Sequence, residues 1–123
     1  MFLRDLISSG LWAGTAKAIV GAIQTGVTAL AGGANSASTP QLTGTLCVVA
    51  TCATAADSVR IPVGEAGDEV TVANQGAAAC AVFPQTGGAF NGGTADVAFS
   101  VTNGKVARFK CIDGLNWVAG LSA

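Results

Sequence analysis

The chain has 123 residues, of which 50 % are hydrophobic and only 11 % are charged, and its formal net charge is −1. This length allows one modest domain with an extension. Charged residues usually make up about a quarter of a domain, so this surface is sparse in charge, and the lack of clustered Lys and Arg argues against nucleic-acid binding. Histidine and tyrosine are absent, which excludes Ser-His-Asp and Cys-His catalysis and removes the commonest general base.

The hydrophobic fraction consists largely of small side chains. Aromatic residues make up 6 % of the chain, and 17 residues are glycine. Alanine and glycine bury little apolar area, so an isolated fold of this composition would be marginally stable. We therefore expect a homo-oligomer, or docking on a larger body that completes the buried surface.

Residues 1–34 are predicted to be an N-terminal anchoring region. Its first six residues lack the net positive charge and strong apolar run of a secretory signal. The segment Leu11–Ala31 has apolar residues on one face at about 100° per residue, which predicts an amphipathic α-helix with small residues in a row beside that face. The predicted interface for a capsid or for self-association contains Trp12, Gly14, Ala18, Ile19, Val20, Ala22, Ile23, Gly26, Val27 and Leu30.

Three environments fit such a helix: a protein shell, copies of itself, or a membrane. The uncharged stretch Ala18–Ala34 is at the lower length limit for a transmembrane span. Its hydrophobicity is also one-sided, whereas spanning helices tend to be apolar all round. Docking on protein is therefore the preferred hypothesis, and a membrane is the alternative.

Residues 35–43 are polar and contain proline, which predicts a linker, and residues 44–123 then form a β module. The expected fold is mainly β: a small antiparallel β-sandwich or barrel-like module with turn-rich hairpins, preceded by one N-terminal amphipathic α-helix. Runs 58–61 and 68–73 are expected to pair through the loop 62–67. The remaining strand candidates are 46–50, 70–72, 78–83, 97–101, 106–112 and a run that begins at Leu115.

Glycine-containing dipeptides divide these runs. Asn91-Gly92, Asn103-Gly104 and Asp113-Gly114 tolerate positive φ and are typical of tight turns between antiparallel strands. The best predicted hairpin is Val101–Val106, around Asn103-Gly104. Pro40, Pro62 and Pro84 lie twenty-two residues apart, which suggests repeated strand pairs, although chance explains the spacing nearly as well.

The side chains able to support chemistry are few. Cys47, Cys52, Cys80 and Cys111 are expected to be reduced and structural, since no export signal precedes them and no Cys-x-x-Cys or histidine favours the alternative of a zinc site. Arg108 and Lys110 would share one strand face, as a solvated surface or as a small phosphate patch. The carboxylates lie in turn-rich sequence, so we predict no catalytic, cofactor-binding or metal-binding residues.

Over about residues 57 to 119 the sequence resembles a β module of small virion proteins of tailed bacteriophages, among them head fibres, capsid decoration or cement proteins and some tail-fibre segments. The residues that carry the resemblance are Val82, Phe83, Pro84, Gly87, Asn91, Gly92, Gly93, Asn103, Gly104, Phe109, Asp113, Gly114, Asn116 and Trp117. It implies a structural protein, made in the host cytoplasm and located in the virion. Its partner would be the major capsid protein or another virion protein, and three copies would be the favoured assembly.

The leading hypothesis is therefore a protein that decorates or cements a phage capsid, with the N-terminal helix on the shell and the β module outside. One alternative is a tail-fibre or adhesin-type receptor-binding module, for which Trp117 is the one indole of the β module that could stack on a sugar rather than fill the core. Another is a membrane-associated minor virion protein.

Overall fold

The computed structural model describes residues 23–31 and 38–122, and this part of the chain is built from β-strands joined by turns. The predicted mainly β class is confirmed for these residues. The strands are β1 Ile23–Thr28, β2 Leu46–Thr51, β3 Asp57–Arg60, β4 Glu69–Asn74, β5 Cys80–Phe83, β6 Ala89–Phe90, β7 Phe99–Val101, β8 Val106–Cys111 and β9 Asn116–Leu121.

The strands form two sheets that mix parallel and antiparallel pairs. The six-stranded sheet has the order β1-β2-β4-β8-β9-β6, and the three-stranded sheet has the order β3-β5-β7. Four pairs are parallel, β1–β2, β2–β4, β3–β5 and β6–β9. The pairs β4–β8, β5–β7 and β8–β9 are antiparallel.

From β2 to β8, consecutive strands alternate between the two sheets, so the chain winds as a solenoid. It passes from β2 to β3 in the other sheet, returns as β4 beside β2, and crosses again as β5 beside β3. Parallel neighbours need a crossover connection, and here the opposite sheet supplies it. The antiparallel strands β8 and β9 complete the six-stranded sheet after the last turn of the winding.

One turn of this winding takes about as many residues as separate the three prolines. Partners are 23 residues apart at Ile23 and Leu46 and again at Asp57 and Cys80. The nitrogen of Arg60 donates to the carbonyl oxygen of Pro40 at 2.8 Å, and that of Ile61 donates to Phe83 at 2.8 Å, so each proline lies near the same corner of successive turns. The proline spacing is therefore close to the length of one turn of the winding.

The predicted antiparallel sandwich of hairpins is wrong in its connections. Runs 58–61 and 68–73 do form strands, but β3 and β4 lie in different sheets and do not pair. The same holds for Val101–Val106, because β7 and β8 also lie in different sheets. Alternating hydrophobicity identifies a half-buried strand but not its neighbour, so the sequence pattern left the pairing direction undetermined.

The predicted helix and linker are also corrected where the structure describes them. The last part of Leu11–Ala31 contains strand β1, which pairs in parallel with β2. Of the predicted linker, Thr39 and Leu42 are buried, and Gln41 forms a bridge with Arg60. The β body thus includes residues 23–31 and 38–43.

The core is one cluster of buried side chains from both sheets. Alternate residues of β4 and β8 point inward, as the burial patterns of these strands show. Phe109 lies 5.4 Å from Phe90 and 5.6 Å from Phe99 between ring centroids, so the three rings pack together. Trp117 is fully buried at the start of β9. These aromatic contacts compensate for the many small side chains.

Candidate functional site

The predicted interface in the N-terminal region is only partly described. Ile23 is exposed at the start of β1, whereas Val27 is buried in the core and Leu30 forms an antiparallel bridge with Ser58. Gly26 has φ of 68° at an irregular point of the β1–β2 register. These four residues therefore do not form one helical face. Trp12, Gly14, Ala18, Ile19, Val20 and Ala22 lie outside the described residues.

The three predicted turns exist, but only one of them joins a hairpin. Asn91 and Gly92 have φ of 54° and 69°, as a type I′ turn requires. The turn at Asn103-Gly104 has positive φ only at the glycine, as in a type II turn, and it leads from one sheet to the other. Asp113-Gly114 connects β8 to its antiparallel neighbour β9, which confirms the hairpin predicted there.

The hairpin at Asp113 is fixed by its carboxylate. Oδ1 accepts hydrogen bonds from the backbone nitrogens of Leu115 at 3.2 Å and Asn116 at 2.9 Å, and the Asn116 amide donates to Oδ2 at 2.9 Å. These donors favour the charged form and lower the pKa of Asp113, with the Asn116 side chain the largest cause. Asp113 thus acts as a turn former, which is the role that its sequence context predicts.

Phe83 and Pro84, which carry part of the resemblance, lie at the end of β5. Phe83 is half-buried and accepts a backbone hydrogen bond from Ile61, while Pro84 is fully buried. At the Asn91-Gly92 turn, Gly93 donates from its nitrogen to the carbonyl oxygen of Phe90 at 2.9 Å. Phe83 and Pro84 contribute to packing at the sheet end, and Gly93 contributes to the geometry of its turn.

Trp117 belongs to the core and presents no ring face to solvent. Its relative exposure is 0 %. Gly64 packs against its edge so closely that a Cβ there would lie 2.7 Å from Cη2 and Cζ2 of the indole. The sugar-stacking role that the adhesin alternative required of Trp117 is therefore incompatible with this packing. Sequence reasoning missed Gly64, because no pattern in the chain links it to Trp117.

Asn74 is the buried polar residue that connects the two sheets, and the sequence reasoning missed it as well. Its Nδ2 donates to the carbonyl oxygens of Val101 at 2.9 Å and Ala78 at 2.8 Å, and its Oδ1 accepts from the nitrogen of Gly76 at 2.9 Å. The side chain is 1 % exposed. The sequence feature that could have pointed to Asn74 is its position at the end of an alternating apolar run. The role of Asn74 in the structure is to stabilise the fold.

The four cysteines are buried, unbridged thiols. Burial raises the pKa of Cys47 and Cys52, and it raises that of Cys80 to about 12 with further contributions from Cys52 and Asp57. A thiolate is the reactive form of cysteine, so Cys47, Cys52 and Cys80 are poor nucleophiles near neutral pH. Their placement agrees with the structural role predicted for them.

The surface with the most distinctive composition is the outward side of β4, β8 and β9, which we call the sheet face. Two rows of paired residues cross it, Glu69–Lys110–Val118 and Thr71–Arg108–Gly120. They line a shallow groove of about 600 Å³. Lys110 Nζ lies 3.7 Å from Glu69 Oε1, and both side chains are well exposed.

Arg108 and Lys110 do share a strand face, as their spacing predicts. The exposed valine Val118 lies directly beside Lys110. Because Glu69 partly neutralises Lys110 and an apolar side chain adjoins it, the surface suits a contact of mixed character better than a phosphate site. Val118 was missed at the sequence level, since exposure of one strand residue cannot be inferred without knowing the sheet's neighbours.

Among residues 23–31 and 38–122, no group of three or more His, Cys, Asp or Glu side chains is arranged to hold a metal ion. The same part of the chain contains no helix that is long and apolar enough to cross a membrane.

Comparison with known proteins found no match to a family model, to a curated protein or to a solved structure.

Proposed function

We propose that this protein is a structural protein of a bacteriophage virion that decorates or cements the capsid. The main observation behind the proposal is that the polar side chains serve the fold itself. Asn74 and Asp113 stabilise the fold through hydrogen bonds, and the cysteines are buried thiols. The described surface exposes apolar side chains among few charged ones, and a partner could contact them. Such a surface suits packing against protein, and the resemblance of residues 57–119 to phage virion modules supports the same assignment.

In this proposal the β body lies outside the shell, and the residues before β1 attach to the major capsid protein or to another virion protein. The apolar and small residues between Leu11 and Ala22 remain the predicted contact. The attachment segment must be shorter than residues 1–34, because β1 starts at Ile23 and is part of the six-stranded sheet.

The test is a comparison of two truncations in a capsid-binding assay. Removal of residues 1–22 preserves β1, so this variant should remain folded and should lose binding to purified capsids. Removal of residues 1–34 also deletes buried Val27 and Ala29, so it should lose stability as well. Circular dichroism and urea unfolding would establish folding before binding is measured. Capsid binding by the folded 1–22 deletion at full-length affinity would contradict the proposed attachment.

A further inference from the structure

Two of the four buried thiols meet where the two sheets come together. Cys52 directly follows β2 of the six-stranded sheet, and Cys80 is the first residue of β5 in the three-stranded sheet. Their relative exposures are 1 % and 0 %. The two side chains are joined by a hydrogen bond, so their sulfur atoms are neighbours.

The backbone around Cys52 fixes this arrangement. The carbonyl oxygen of Cys52 accepts from the nitrogen of Ala78 at 2.9 Å. Its Sγ lies 3.4 Å from the carbonyl oxygen of Ala79, the residue that precedes Cys80. A Cβ on Gly76 would lie 2.5 Å from the nitrogen of Cys52, so the two segments pack backbone against backbone. Cys80 is therefore held beside Cys52 by the chain that leads into β5.

The other two cysteines lie too far away to form the same bond. Through the registers of β2, β4 and β8, Cys47 is level with Ala107. Cys111 lies four residues further along β8, which corresponds to about 13 Å. Cys47 also precedes Cys52 by five residues of extended chain, or about 16 Å. A disulfide needs Cα atoms about 4.4–6.8 Å apart, so Cys47 can be bridged neither to Cys111 nor to Cys52.

We propose that Cys52 and Cys80 form a disulfide when the folded protein meets a small-molecule disulfide as oxidant, so that this pair is a modification site between the two sheets. The bond would enclose β3 and β4 and would tie the six-stranded sheet to the three-stranded one. Thiols persist in reducing surroundings and disulfides in oxidising ones, so the surroundings set the state of the pair. The bond depends on this chain alone, and it can fail without the capsid assignment failing, or the reverse.

The reaction is thiol–disulfide exchange. Cys52 reacts first, because its neighbours Thr51 and Ala53 are exposed, whereas Cys80 is followed by buried Ala81. The deprotonated Cys52 sulfur attacks one sulfur of the oxidant, which breaks the S–S bond of the oxidant and releases one small thiol. The deprotonated Cys80 sulfur then attacks Cys52 Sγ, and the second small thiol leaves. Two cysteine thiols become one disulfide, and the oxidant is reduced to two thiols that receive the two cysteine protons.

Burial makes this exchange slow near neutral pH. It raises the pKa of both thiols, that of Cys80 to about 12. Because the thiolate is the attacking species, the bond should form faster as the pH rises.

Thiol counting on the full-length protein tests the pairing. Folded wild type is incubated with oxidised glutathione at pH 8, then denatured and alkylated, and its intact mass is measured. Two alkylated thiols are expected, against four in protein kept under reductant, and peptide mapping should place the cross-link between Cys52 and Cys80. Four alkylated thiols after oxidation, or a cross-link that contains Cys47 or Cys111, would overturn the proposal. This measurement needs no variant.

Cysteine variants test the order of the two steps. Cys80→Ala should retain a glutathione adduct on Cys52, because the thiol that displaces it is missing. Cys52→Ala should form neither a cross-link nor an adduct at Cys80. Cys47→Ala is the matched control, since it also removes a buried thiol, and it should still form the Cys52–Cys80 bond. Circular dichroism establishes that each variant is folded. An adduct on Cys80, or loss of the bond in folded Cys47→Ala, would overturn the assignment.

Urea unfolding measures the effect of the bond. A cross-link restricts the unfolded chain, so the midpoint of oxidised wild type should lie about 1 M above that of the reduced protein. Cys47→Ala should show the same rise on oxidation, and Cys80→Ala should show none. An equal or lower midpoint for oxidised wild type would overturn the inference that the folded protein accommodates the bond.

Discussion

At the scale of single residues, Asn74 has the largest structural consequence. Its amide satisfies the buried carbonyl oxygen of Val101 and two partly buried backbone groups, and it joins β4 to the end of β7. A buried backbone group that loses its hydrogen bond costs about 1–3 kcal/mol. One side chain therefore provides the hydrogen-bond partner for three backbone groups of the interior and its edge.

Asn74→Ala should lower the free energy of unfolding by about 2–4 kcal/mol, because three buried or partly buried groups lose their partner. Asn74→Asp should be no better, since a carboxylate cannot donate to the carbonyl oxygens of Ala78 and Val101. Asn103→Ala is the control: Asn103 is exposed, and its φ is not positive. That change should stay within about 0.5 kcal/mol. Urea unfolding monitored by circular dichroism would measure both, and equal effects would contradict the role assigned to Asn74.

The buried thiols affect stability at high pH. The pKa of Cys80 is raised from 9.0 to about 12, mainly by burial and then by Cys52 and Asp57. Between these two values the folded protein retains a proton that the unfolded chain has released. Raising the pH through this interval therefore favours unfolding, and below pH 9 the stability contributed by this group is fully present.

Cys80→Ala should make the free energy of unfolding less dependent on pH above 9. The Cys80 thiol contributes a slope of about 1.4 kcal/mol per pH unit in this interval. The variant should be less stable than wild type at pH 8, because it leaves a small void, and the difference should shrink as the pH rises to 11. Urea unfolding at a series of pH values measures the slopes. Parallel slopes for the two proteins would show that Cys80 does not titrate as inferred.

At the scale of elements, the β8–β9 hairpin combines local and long-range information. Its turn is encoded by Asp113-Gly114, where Gly114 has φ of 93°. Its pairing is encoded by the alternation of buried and exposed residues in both strands next to the turn. There the buried residues Cys111 and Trp117 lie opposite each other. This agreement between turn chemistry and strand pattern explains why the hairpin was predictable.

Asp113→Asn should reduce the sensitivity of the protein to acid. The folded-state pKa of Asp113 is lowered from 3.8, so its contribution to stability is present above that value and is lost as the pH falls through the lowered pKa. Asparagine can still accept through its oxygen but does not titrate. The urea midpoint of the variant should be below wild type at pH 7 and should approach it at pH 2. A constant difference between the proteins across this pH range would contradict the inference.

Strand β1 shows how tertiary context changes an element. The sequence Ile23–Thr28 continues a helical pattern of apolar residues, yet it contains Ile, Val and two Thr, all β-branched, and a glycine. These residues have low helix propensity and suit a pleated surface. Pairing with β2 gives the backbone a partner that a solvent-exposed helix would not need. The period of the pattern alone was therefore misleading.

At the scale of the whole molecule, winding makes the fold depend on contacts distant in sequence. Each parallel pair joins residues about one turn of the solenoid apart, for instance Leu46 and Thr71. A turn of such a solenoid cannot bury its apolar side alone, so neighbouring turns stabilise one another. The hairpin β8–β9 and the short strand β6 extend the larger sheet on one side.

The sequence by itself determined the class, most strand positions and the turns. Short apolar runs located β2, β3, β4, β5, β7 and β8 to within a few residues, and Asn-Gly or Asp-Gly marked three real turns. The absence of histidine and tyrosine restricted the available chemistry. These features could be predicted from the sequence because strand periodicity and positive φ are local properties of the backbone.

Only the tertiary structure decided which strands are neighbours and which surface is exposed. A strand with one buried face can pair in parallel or antiparallel register with equal local preference, so the solenoid was not encoded in any short segment. The roles of Asn74, Gly64 and Val118 depend on residues far away in the chain, namely Val101, Trp117 and Lys110. Such long-range contacts form only when the whole chain folds, which is why the sheet face could not be located from the sequence.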